Sequence, residues 1–296
     1  MKKHTPSVTA ELAAMIRAVA VQFQLLKRIF DDRFAVYFCD IRTFPAHCVN
    51  RLISLFDPSL TRFSFTMTRV GVLCALVRHR FIEDSMKKIL DSGVIQVVLL
   101  GAGYDTKSLR AVNKKVRFFE LDYPATQQRK RAIIHKRNFI PGNTTYIPCY
   151  LSITFPSELI IGKGLDSTLP VLVIAEGLLS YLTRARIRDL FCDMQKLSND
   201  VHVIFDYRHP PCSSAHSVKK WYDDFRRKGE TYLSQLDSSE MDMVLDQAAF
   251  STVSADDLHG LALRYGLTID ASGLRGASEV RVARYSGGSS KGAVNG

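Results

Sequence analysis

The chain has 296 residues, a formal net charge of +11 and 46% hydrophobic residues. This apolar content supports a large core and excludes global disorder, and no window of about 18 uncharged apolar residues predicts a membrane span. The basic excess indicates attraction to anions. A nucleic-acid partner is disfavoured, because no aromatic residues alternate with the densest basic run, Arg129-Lys130-Arg131 with His135-Lys136-Arg137, which we interpret as a solvated helix face.

The N-terminus and the cysteines bear on location. The basic start is not followed by an uninterrupted apolar segment, since Arg17, Gln22 and Gln24 break the first apolar region, and no secretory signal is expected. The six cysteines show no C-x-x-C spacing, and several lie in apolar runs, as free thiols do. We therefore expect a cytoplasmic protein without a metal site.

Residues 8–90 are predicted to be helical, and residues 1–90 are assigned to an N-terminal helical lid. A segment from Met67 to Leu90 without proline predicts a long helix, and Asp57-Pro58-Ser59 predicts a turn before it. The first helix is indicated by apolar residues at alternating spacings of four and three: Leu12, Ile16, Val19, Phe23, Leu26 and Phe30.

From residue 95 the pattern changes to short apolar strands separated by segments of helix length. This alternation predicts a parallel, doubly wound α/β sheet. The candidate strands are Val97–Leu100, Val116–Phe119, Thr145–Ile147, Val171–Ile174 and Val201–Phe205.

Two helices in the second half have clear signals at their ends. Thr183 is a suitable N-cap for a helix that follows it. Ser254, with Asp257 three residues later, predicts the start of another, and Gly266 its end.

Two closing strands are predicted next, at Leu267–Ile269 and Val280–Tyr285. The connection between them is too short for a parallel return, so the pair is expected to be antiparallel. Residues 286–296 are rich in glycine and serine and are predicted to be a disordered tail.

A glycine loop follows the first strand. Gly101 and Gly103 allow a tight turn and a close approach of the backbone to a ligand. The third glycine of the dinucleotide fingerprint is replaced by Thr106, so the loop alone is a weak signal. Asp105 lies where the next helix begins and is expected to cap it or to bind the ligand.

Acidic residues follow two of the other strands. Glu120 and Asp122 lie two positions apart at the end of the second strand and are expected to point to one side. Glu176 follows the fourth strand. Because ligands bind at the carboxyl edge of open parallel sheets, these residues predict a nucleotide-type site with an acid placed to bind ribose hydroxyls.

These segments resemble the motifs of the leucine carboxyl methyltransferase family. The resemblance covers roughly residues 8–285 and rests on four ordered segments: Arg78–Asp84, Gln96–Arg110, Phe119–Pro124 and Ala175–Thr183. It implies a class I methyltransferase fold, a Rossmann-like doubly wound sheet that is mostly parallel with a late antiparallel strand. It also implies that residues 91–285 form a domain that binds S-adenosyl-L-methionine.

The resemblance implies roles for individual residues. Arg78 would pair with the methionine carboxylate, Gly101 and Gly103 would lie under the methionine and ribose, Asp122 with Glu120 beside it would bind the ribose, and Glu176 would lie near the amine or sulfonium. The alternatives are a surface ion pair of Arg78 with Glu83 or Asp84, and a helix-capping role for Glu176. Arg110 is expected to brace Asp105 or Glu120.

One position departs from the family pattern. The family commonly has Asp-Leu after the third strand, where the acid accepts a hydrogen bond from the adenine amino group. This chain has Tyr150-Leu151 there. Tyr150 is therefore expected to contact the adenine by stacking or by a hydrogen bond, without the usual acceptor.

The methyl acceptor is predicted only as a class. A carboxylate acceptor needs no general base, whereas a phenol does. His209 and His216 are candidates for such a base, with Tyr181 and Asp206 as polar wall residues, but no catalytic residue is assigned. A cluster of Trp221, Tyr222 and Phe225 is either an acceptor pocket or core.

Three functions remain open from the sequence. The first is a small-molecule O-methyltransferase acting on a carboxyl or hydroxyl group, as in secondary metabolism. The second is a protein C-terminal carboxyl methyltransferase. The third is a methyltransferase-like fold that has lost catalysis and serves as a binding module; the basic charge and Tyr150 favour it, whereas the intact residues of the other motifs oppose it.

Overall fold

The computed structural model of the protein describes residues 5–22, 27–39, 66–210, 232–267 and 278–287, with only the backbone described for residues 66–71. Within these residues no helix is long and apolar enough to cross a bilayer.

Seven strands form one sheet in the order β3-β2-β1-β4-β5-β7-β6. Neighbours among β1 to β5 pair in parallel, and β7 runs antiparallel to both β5 and β6. The order reverses between β1 and β4, which is where open α/β sheets bind ligands. The strands are β1 (Gln96–Leu100), β2 (Arg117–Asp122), β3 (Asn143–Pro148), β4 (Val171–Ala175), β5 (Asp200–Arg208), β6 (Ser251–Asp257) and β7 (Ser278–Ser286).

Helices cover both faces of the sheet. Short 3₁₀ segments lie at Ala35–Tyr37, Leu179–Tyr181 and Gln195–Leu197. The α-helices in the described residues are α1 (Val8–Ala20), α2 (Thr66–Asp91), α3 (Lys107–Arg110), α4 (Pro124–Lys136), α5 (Pro156–Ile161), α6 (Arg184–Met194), α7 (Ser238–Gln247) and α8 (Leu258–Arg264).

The alternation of side chains along each strand produces two apolar layers. In β1, Val97 and Leu99 pack on the face covered by α1, α2 and α8, whereas Val98 and Leu100 pack on the face covered by α5, α6 and α7. All five residues of β1 are buried. The strands are thus enclosed on both faces, and their carboxyl ends are the part of the sheet available to a ligand.

The sequence located the parallel part of the sheet. The five candidate strands overlap β1 to β5, which extend beyond them by one to four residues, and Val116 lies just before β2. Thr183 is the N-cap of α6, where its side chain accepts a hydrogen bond from the backbone N–H of Arg186. Gly266 follows α8 with φ +71°, as predicted for a residue that ends a helix.

The prediction for the closing strands was wrong in one part. Val280–Tyr285 lies in β7, but its edge partner β6 precedes α8, and Leu267 lies outside any strand; residues 268–269 lie outside the described residues. Ser254 is therefore part of a strand, and Asp257 is the N-cap of α8 through a bond from the N–H of Gly260. β6 is mostly exposed and polar, so it lacks the apolar alternation that marks a strand.

The two helices predicted in the N-terminal region are present as α1 and α2. The first of them is shorter than predicted. α1 ends at Ala20, earlier than the predicted face that runs on to Phe30. The predicted turn at Asp57-Pro58-Ser59, and residues 288–296 of the predicted tail, lie outside the described residues.

Candidate functional site

The glycine loop and the end of β2 form one hydrogen-bonded unit. Gly101 and Gly103 have φ of +66° and +49°, in the left-handed region that favours glycine. The backbone N–H of Gly103 donates to Oδ2 of Asp122, and the N–H of Tyr123 donates to Oδ1 at 2.6 Å. These two bonds fix the Asp122 carboxylate against the loop.

Asp122 is almost completely buried, and this changes its ionisation. Burial raises the pKa of Asp122 to about 6, although the two backbone N–H donors and Lys130 act in the opposite direction. Its carboxylate lies beside the loop at the carboxyl edge of the sheet, where the sequence predicted an acid for ribose hydroxyls.

Arg78 reaches the same edge from α2. Its Nε donates to Oε1 of Glu176 at 3.2 Å, and its Nη1 donates to Oδ2 of Asp206 at 3.1 Å. Burial acts to lower the pKa of Arg78, but the two carboxylates outweigh it and raise that pKa above its ordinary value. Among the described residues, none accepts a hydrogen bond from Nη2.

The alternative of a surface ion pair for Arg78 does not hold in the structure. Asp84 pairs instead with Arg80, and Glu83 pairs with Nη2 of Arg110 at 2.6 Å. Arg110 therefore braces Glu83 on α2, not Asp105 or Glu120 as expected.

Glu176 directly follows β4, and three basic side chains surround its carboxylate. Besides Arg78, it contacts Nδ1 of His79 and, at 3.3 Å, Nζ of Lys107. Burial acts to raise its pKa, but these three neighbours hold the pKa of Glu176 well below its ordinary value. Glu176 is thus ionised at neutral pH and fixed in place.

Lys107 is a buried cation that the sequence did not single out. Its Nζ lies 2.6 Å from Oδ2 of Asp105 and 3.3 Å from Oε2 of Glu176, so it joins the glycine loop to β4. Burial opposes its charge, but these carboxylates raise the pKa of Lys107 above its ordinary value. Asp105, whose pKa is lowered by Lys107 against the effect of burial, also accepts from the backbone N–H of Lys107 at the start of α3.

His79 is the other residue that the sequence did not indicate. Burial lowers its pKa, so the ring is neutral at pH 7, and it stacks on Phe30 with 5.3 Å between ring centroids. The only available signal for His79 and Lys107 was their place beside Arg78 and the glycine loop.

The charged side chains around Arg78 and Lys107 form a network that carries a net negative charge. Two cations, Arg78 and Lys107, face the three carboxylates of Asp105, Glu176 and Asp206, and the pair of Glu83 with Arg110 is balanced. Because the groups are largely buried, this excess acts on a bound ligand with little screening and favours a ligand that is cationic overall.

Glu120 lies beneath the site and not in it. Its side chain is fully buried, and its two oxygens accept from Ser108 Oγ at 2.7 Å and from Lys130 Nζ at 2.6 Å. A ligand cannot reach this carboxylate without breaking the buried pair, so the expectation that Glu120 contacts a ribose is not supported. Lys130 also corrects the interpretation of the basic run, since it is 1% exposed.

Two tyrosines lie at the far end of this edge, beyond β2 and β3. The rings of Tyr123 and Tyr150 meet edge to face, with 5.0 Å between centroids and 88° between planes. Tyr150 is 39% exposed, whereas the side chain of Leu151 is buried and its carbonyl accepts from Nε of Arg186 at 2.8 Å. Tyr150 is thus accessible, and Leu151 anchors the loop.

The other end of the edge, beside β5, contains the candidate acceptor residues. Asp206 faces Arg78, and Arg208 lies over the ring of Tyr232, which packs against Tyr181. His209 directly follows β5, packs against the ring of Tyr207 with 5.3 Å between centroids, and pairs with Glu279 at 3.4 Å. His216, Trp221, Tyr222 and Phe225 lie outside the described residues.

The first helix lies over the glycine loop. A Cβ on Gly103 would lie 3.1 Å from Cβ of Ala10, and the hydroxyl of Tyr181 hydrogen-bonds to Thr9 at 3.1 Å. Further along α1, Arg17 donates to the carbonyl of Tyr104 at 2.7 Å. α1 thus covers the edge between β1 and β4.

Known proteins share this fold and sequence pattern. A solved structure of a DUF574 family protein from Streptomyces avermitilis aligns with a TM-score of 0.60 at 11% identity and covers 95% of this chain and 98% of that one. The structure of a "putative methyltransferase" from Thermobifida fusca aligns with a TM-score of 0.52 at 16% identity and covers 96% and 97%. At these identities the likeness shows a common fold.

Sequence relatives agree with the fold. A Bacillus subtilis protein named "Putative S-adenosyl-L-methionine-dependent methyltransferase YktD" is 25% identical over 286 residues, covering 88% of this chain and 92% of the relative. A Streptomyces coelicolor protein with the same description is 36% identical over 109 residues, covering 36% of this chain and 38% of the relative. A model of the leucine carboxyl methyltransferase family matches residues 10–195. The chain therefore belongs to the leucine carboxyl methyltransferase family.

Proposed function

We propose that this protein is an O-methyltransferase that transfers the methyl group of S-adenosyl-L-methionine to a carboxyl or hydroxyl group of a small molecule. The methyl donor is the cofactor for which its relatives are named. When bound, S-adenosyl-L-methionine supplies a methyl group activated by a sulfonium, and the protein contributes alignment and a dry site.

The single observation that carries the proposal is the position of Arg78 between Glu176 and Asp206. A guanidinium whose Nη2 donates to no residue in the described ranges suits a carboxylate, and the neighbouring acids suit an ammonium and a sulfonium. The net negative charge of the network also fits the cofactor, which carries two positive charges and one negative charge. The residues present therefore fit the amino-acid end of S-adenosyl-L-methionine.

The middle of the cofactor is assigned to the glycine loop. Gly101 and Gly103 adopt the left-handed conformation that favours glycine, and the tight turn they form presents loop backbone at the carboxyl edge. Asp122 accepts from the ribose hydroxyls in this proposal, and Glu120 supports β2 from below through its pair with Lys130.

A small acceptor is favoured by the cover that α1 provides. The contacts of Ala10 with the loop and of Thr9 with Tyr181 narrow the edge between β1 and β4, which suits a small molecule better than a folded protein. We also propose that residues 1–90, which include α1, act as a lid. Residues 91–285 form the cofactor-binding domain in this proposal.

A carboxylate is the better supported of the two acceptor groups. It reacts in its ionised form and needs no base. His209 is engaged by Glu279 and Tyr207, whereas Arg78 pairs with Asp206 and Glu176, so His209 is poorly placed to deprotonate a hydroxyl beside Arg78. We propose a cytoplasmic location, consistent with the free thiols of Cys39, Cys74, Cys149 and Cys192.

The acceptor class is tested with S-adenosyl-L-methionine labelled in its methyl group. The protein is incubated with mixtures of small carboxylic acids and phenols, with the Arg78→Ala variant as a blank. Label that enters small molecules and is released as methanol by mild base indicates a methyl ester, whereas label stable to base indicates an ether. Label found only on polypeptide chains would contradict the small-molecule proposal and favour a protein carboxyl methyltransferase.

A further inference from the structure

We propose that this site holds the purine of its cofactor through the paired rings of Tyr123 and Tyr150 and not through the 6-amino group, so that it accepts purine cofactors whatever their 6-substituent. This inference rests on the proposed function, because it assumes that the cofactor binds along the carboxyl edge of the sheet. Tyr150 is the residue that determines this specificity, and the ligands are purine cofactors.

The direction of the bound cofactor follows from the charges along the edge. Three groups suit an amino-acid zwitterion: Arg78 in the middle of α2, Glu176 directly after β4, and Asp206 near the end of β5. Asp122 lies two strands away, at the end of β2. With the amino acid at β4 and the ribose at β2, the base must extend beyond β2 to the end of β3, about 14 Å from β4 at a strand spacing of ~4.8 Å.

Tyr123 and Tyr150 are the aromatic residues at that place. Tyr123 directly follows Asp122, and Tyr150 follows β3 by two residues. The segment is fixed, since the N–H of Cys149 donates to the carbonyl of Asp122 at 2.9 Å and Arg186 binds the carbonyl of Leu151. The accessible ring of Tyr150 is therefore held ready for a base to pack on.

The same region offers no carboxylate to a 6-amino group. Residues 149–155, which connect β3 to α5, contain no acidic residue. Within the described residues the nearby acids already have partners: Asp122 accepts from two backbone N–H groups and is assigned to the ribose, Glu120 binds Lys130, and Asp193 accepts from the backbone N–H and hydroxyl of Ser157.

Contact through a ring face differs in selectivity from contact through a carboxylate. Every purine presents a π-face, so stacking on an aromatic side chain tolerates different bases. A carboxylate that binds an amino group instead rejects a base without it, because the buried acceptor is left unpaired. Tyr150 in this position thus predicts weak discrimination at the 6-position.

The test compares two ligands by calorimetry: S-adenosylhomocysteine and its purine analogue, in which hydrogen replaces the 6-amino group. We expect the wild-type affinities to differ by less than about fivefold, since only a neutral hydroxyl is available to the amino group. Tyr150→Phe is expected to behave like the wild type. Tyr150→Ala is expected to weaken both ligands about tenfold and to the same degree, because it removes the stacking surface.

The variant Tyr150→Asp introduces the missing acceptor. We expect it to prefer S-adenosylhomocysteine over the purine analogue by about tenfold or more, as a charged hydrogen bond would. Tyr37 provides a matched control, because it is a tyrosine with 40% exposure that packs on Phe139 away from this edge. Tyr37→Ala is expected to leave both affinities unchanged.

Two results would overturn the inference while leaving the proposed function intact. One is a wild-type preference for the amino ligand of about fivefold or more. The other is unchanged affinity for both ligands in Tyr150→Ala. Failure of the wild-type protein to bind S-adenosylhomocysteine at all would overturn the proposed function and this inference together.

Discussion

Arg78 on α2 and Asp206 at the end of β5 lie in contact, with 3.1 Å between Nη1 and Oδ2, although 128 residues separate them in the chain. Glu176 completes the contact from β4. The fold therefore brings one guanidinium and two carboxylates to a single point of the carboxyl edge.

Replacement of Arg78 is expected to weaken cofactor binding. Arg78→Ala removes the charged donor for the ligand carboxylate and should lower the affinity for S-adenosylhomocysteine by about 10- to 100-fold. It should also lower the free energy of unfolding by about 3 kcal/mol, since the buried Asp206 loses its cation and Glu176 loses one of its three neighbours. Calorimetry at a temperature where the variant is folded checks the first effect, and urea denaturation checks the second.

Arg80 on the same helix is the matched control. Its pair with Asp84 is well exposed, with side-chain exposures of 40% and 38%, so Arg80→Ala should leave the cofactor affinity unchanged. Equal losses of affinity in the two variants would show that Arg78 acts only through the stability of α2.

Removal of the buried Lys107 charge is expected to destabilise the protein. In Lys107→Met, Asp105 and Glu176 lose a shared cation, and the free energy of unfolding should fall by about 3 kcal/mol. Lys87→Met removes an exposed i,i+4 ion pair with Asp91 and should change the free energy of unfolding by less than about 0.5 kcal/mol. Urea denaturation of both variants makes the comparison, and equal effects would contradict the structural role of Lys107.

Asp122 predicts a pH dependence of cofactor binding. Its pKa of about 6 means that protonation below this pH removes the charged acceptor for the ribose, so affinity for S-adenosylhomocysteine should fall as the pH drops from 7 to 5. Asp122→Asn should bind about tenfold more weakly at pH 7 and show little change over the same range. Calorimetric titrations at several pH values check both expectations.

The effect of Asp122 on stability has the opposite sign. Its folded-state pKa lies above the ordinary value of 3.8, so the ionised form disfavours folding at pH 6 and above, and protonation between about pH 6 and 4 favours the folded state. Loss of binding in acid should therefore not be accompanied by destabilisation that arises from this residue. A wild-type affinity that stays constant down to pH 5 would contradict the assignment.

The close approach of Gly103 to Ala10 can be tested with a second substitution that restores the space. Gly103→Ala places a Cβ at 3.1 Å from Cβ of Ala10 in a left-handed conformation, so it should destabilise the protein and loosen α1. Gly266→Ala has the same backbone penalty, about 1 kcal/mol, but meets no atom within 4 Å. The excess loss in Gly103→Ala, measured by thermal unfolding, should be reduced when Ala10→Gly is added; no rescue would contradict the contact.

The sequence predicted the parallel strands and the acidic edge because these depend on local patterns. Apolar runs mark β1 and β4, Asp122 is the last residue of β2, and Glu176 directly follows β4. Local patterns could not show that Lys107 binds Glu176, 69 residues away, or that Lys130 turns inward to Glu120. β6 was missed for a related reason, since an exposed edge strand needs no apolar face and is defined by its pairing with β7.

The most direct test of the central claim is a calorimetric titration of the wild-type protein with S-adenosylhomocysteine. We predict saturable one-to-one binding that is weakened at least about tenfold in Arg78→Ala and is unchanged in Arg80→Ala. No detectable heat of binding at millimolar ligand would contradict the assignment of this edge of the sheet as the S-adenosyl-L-methionine site.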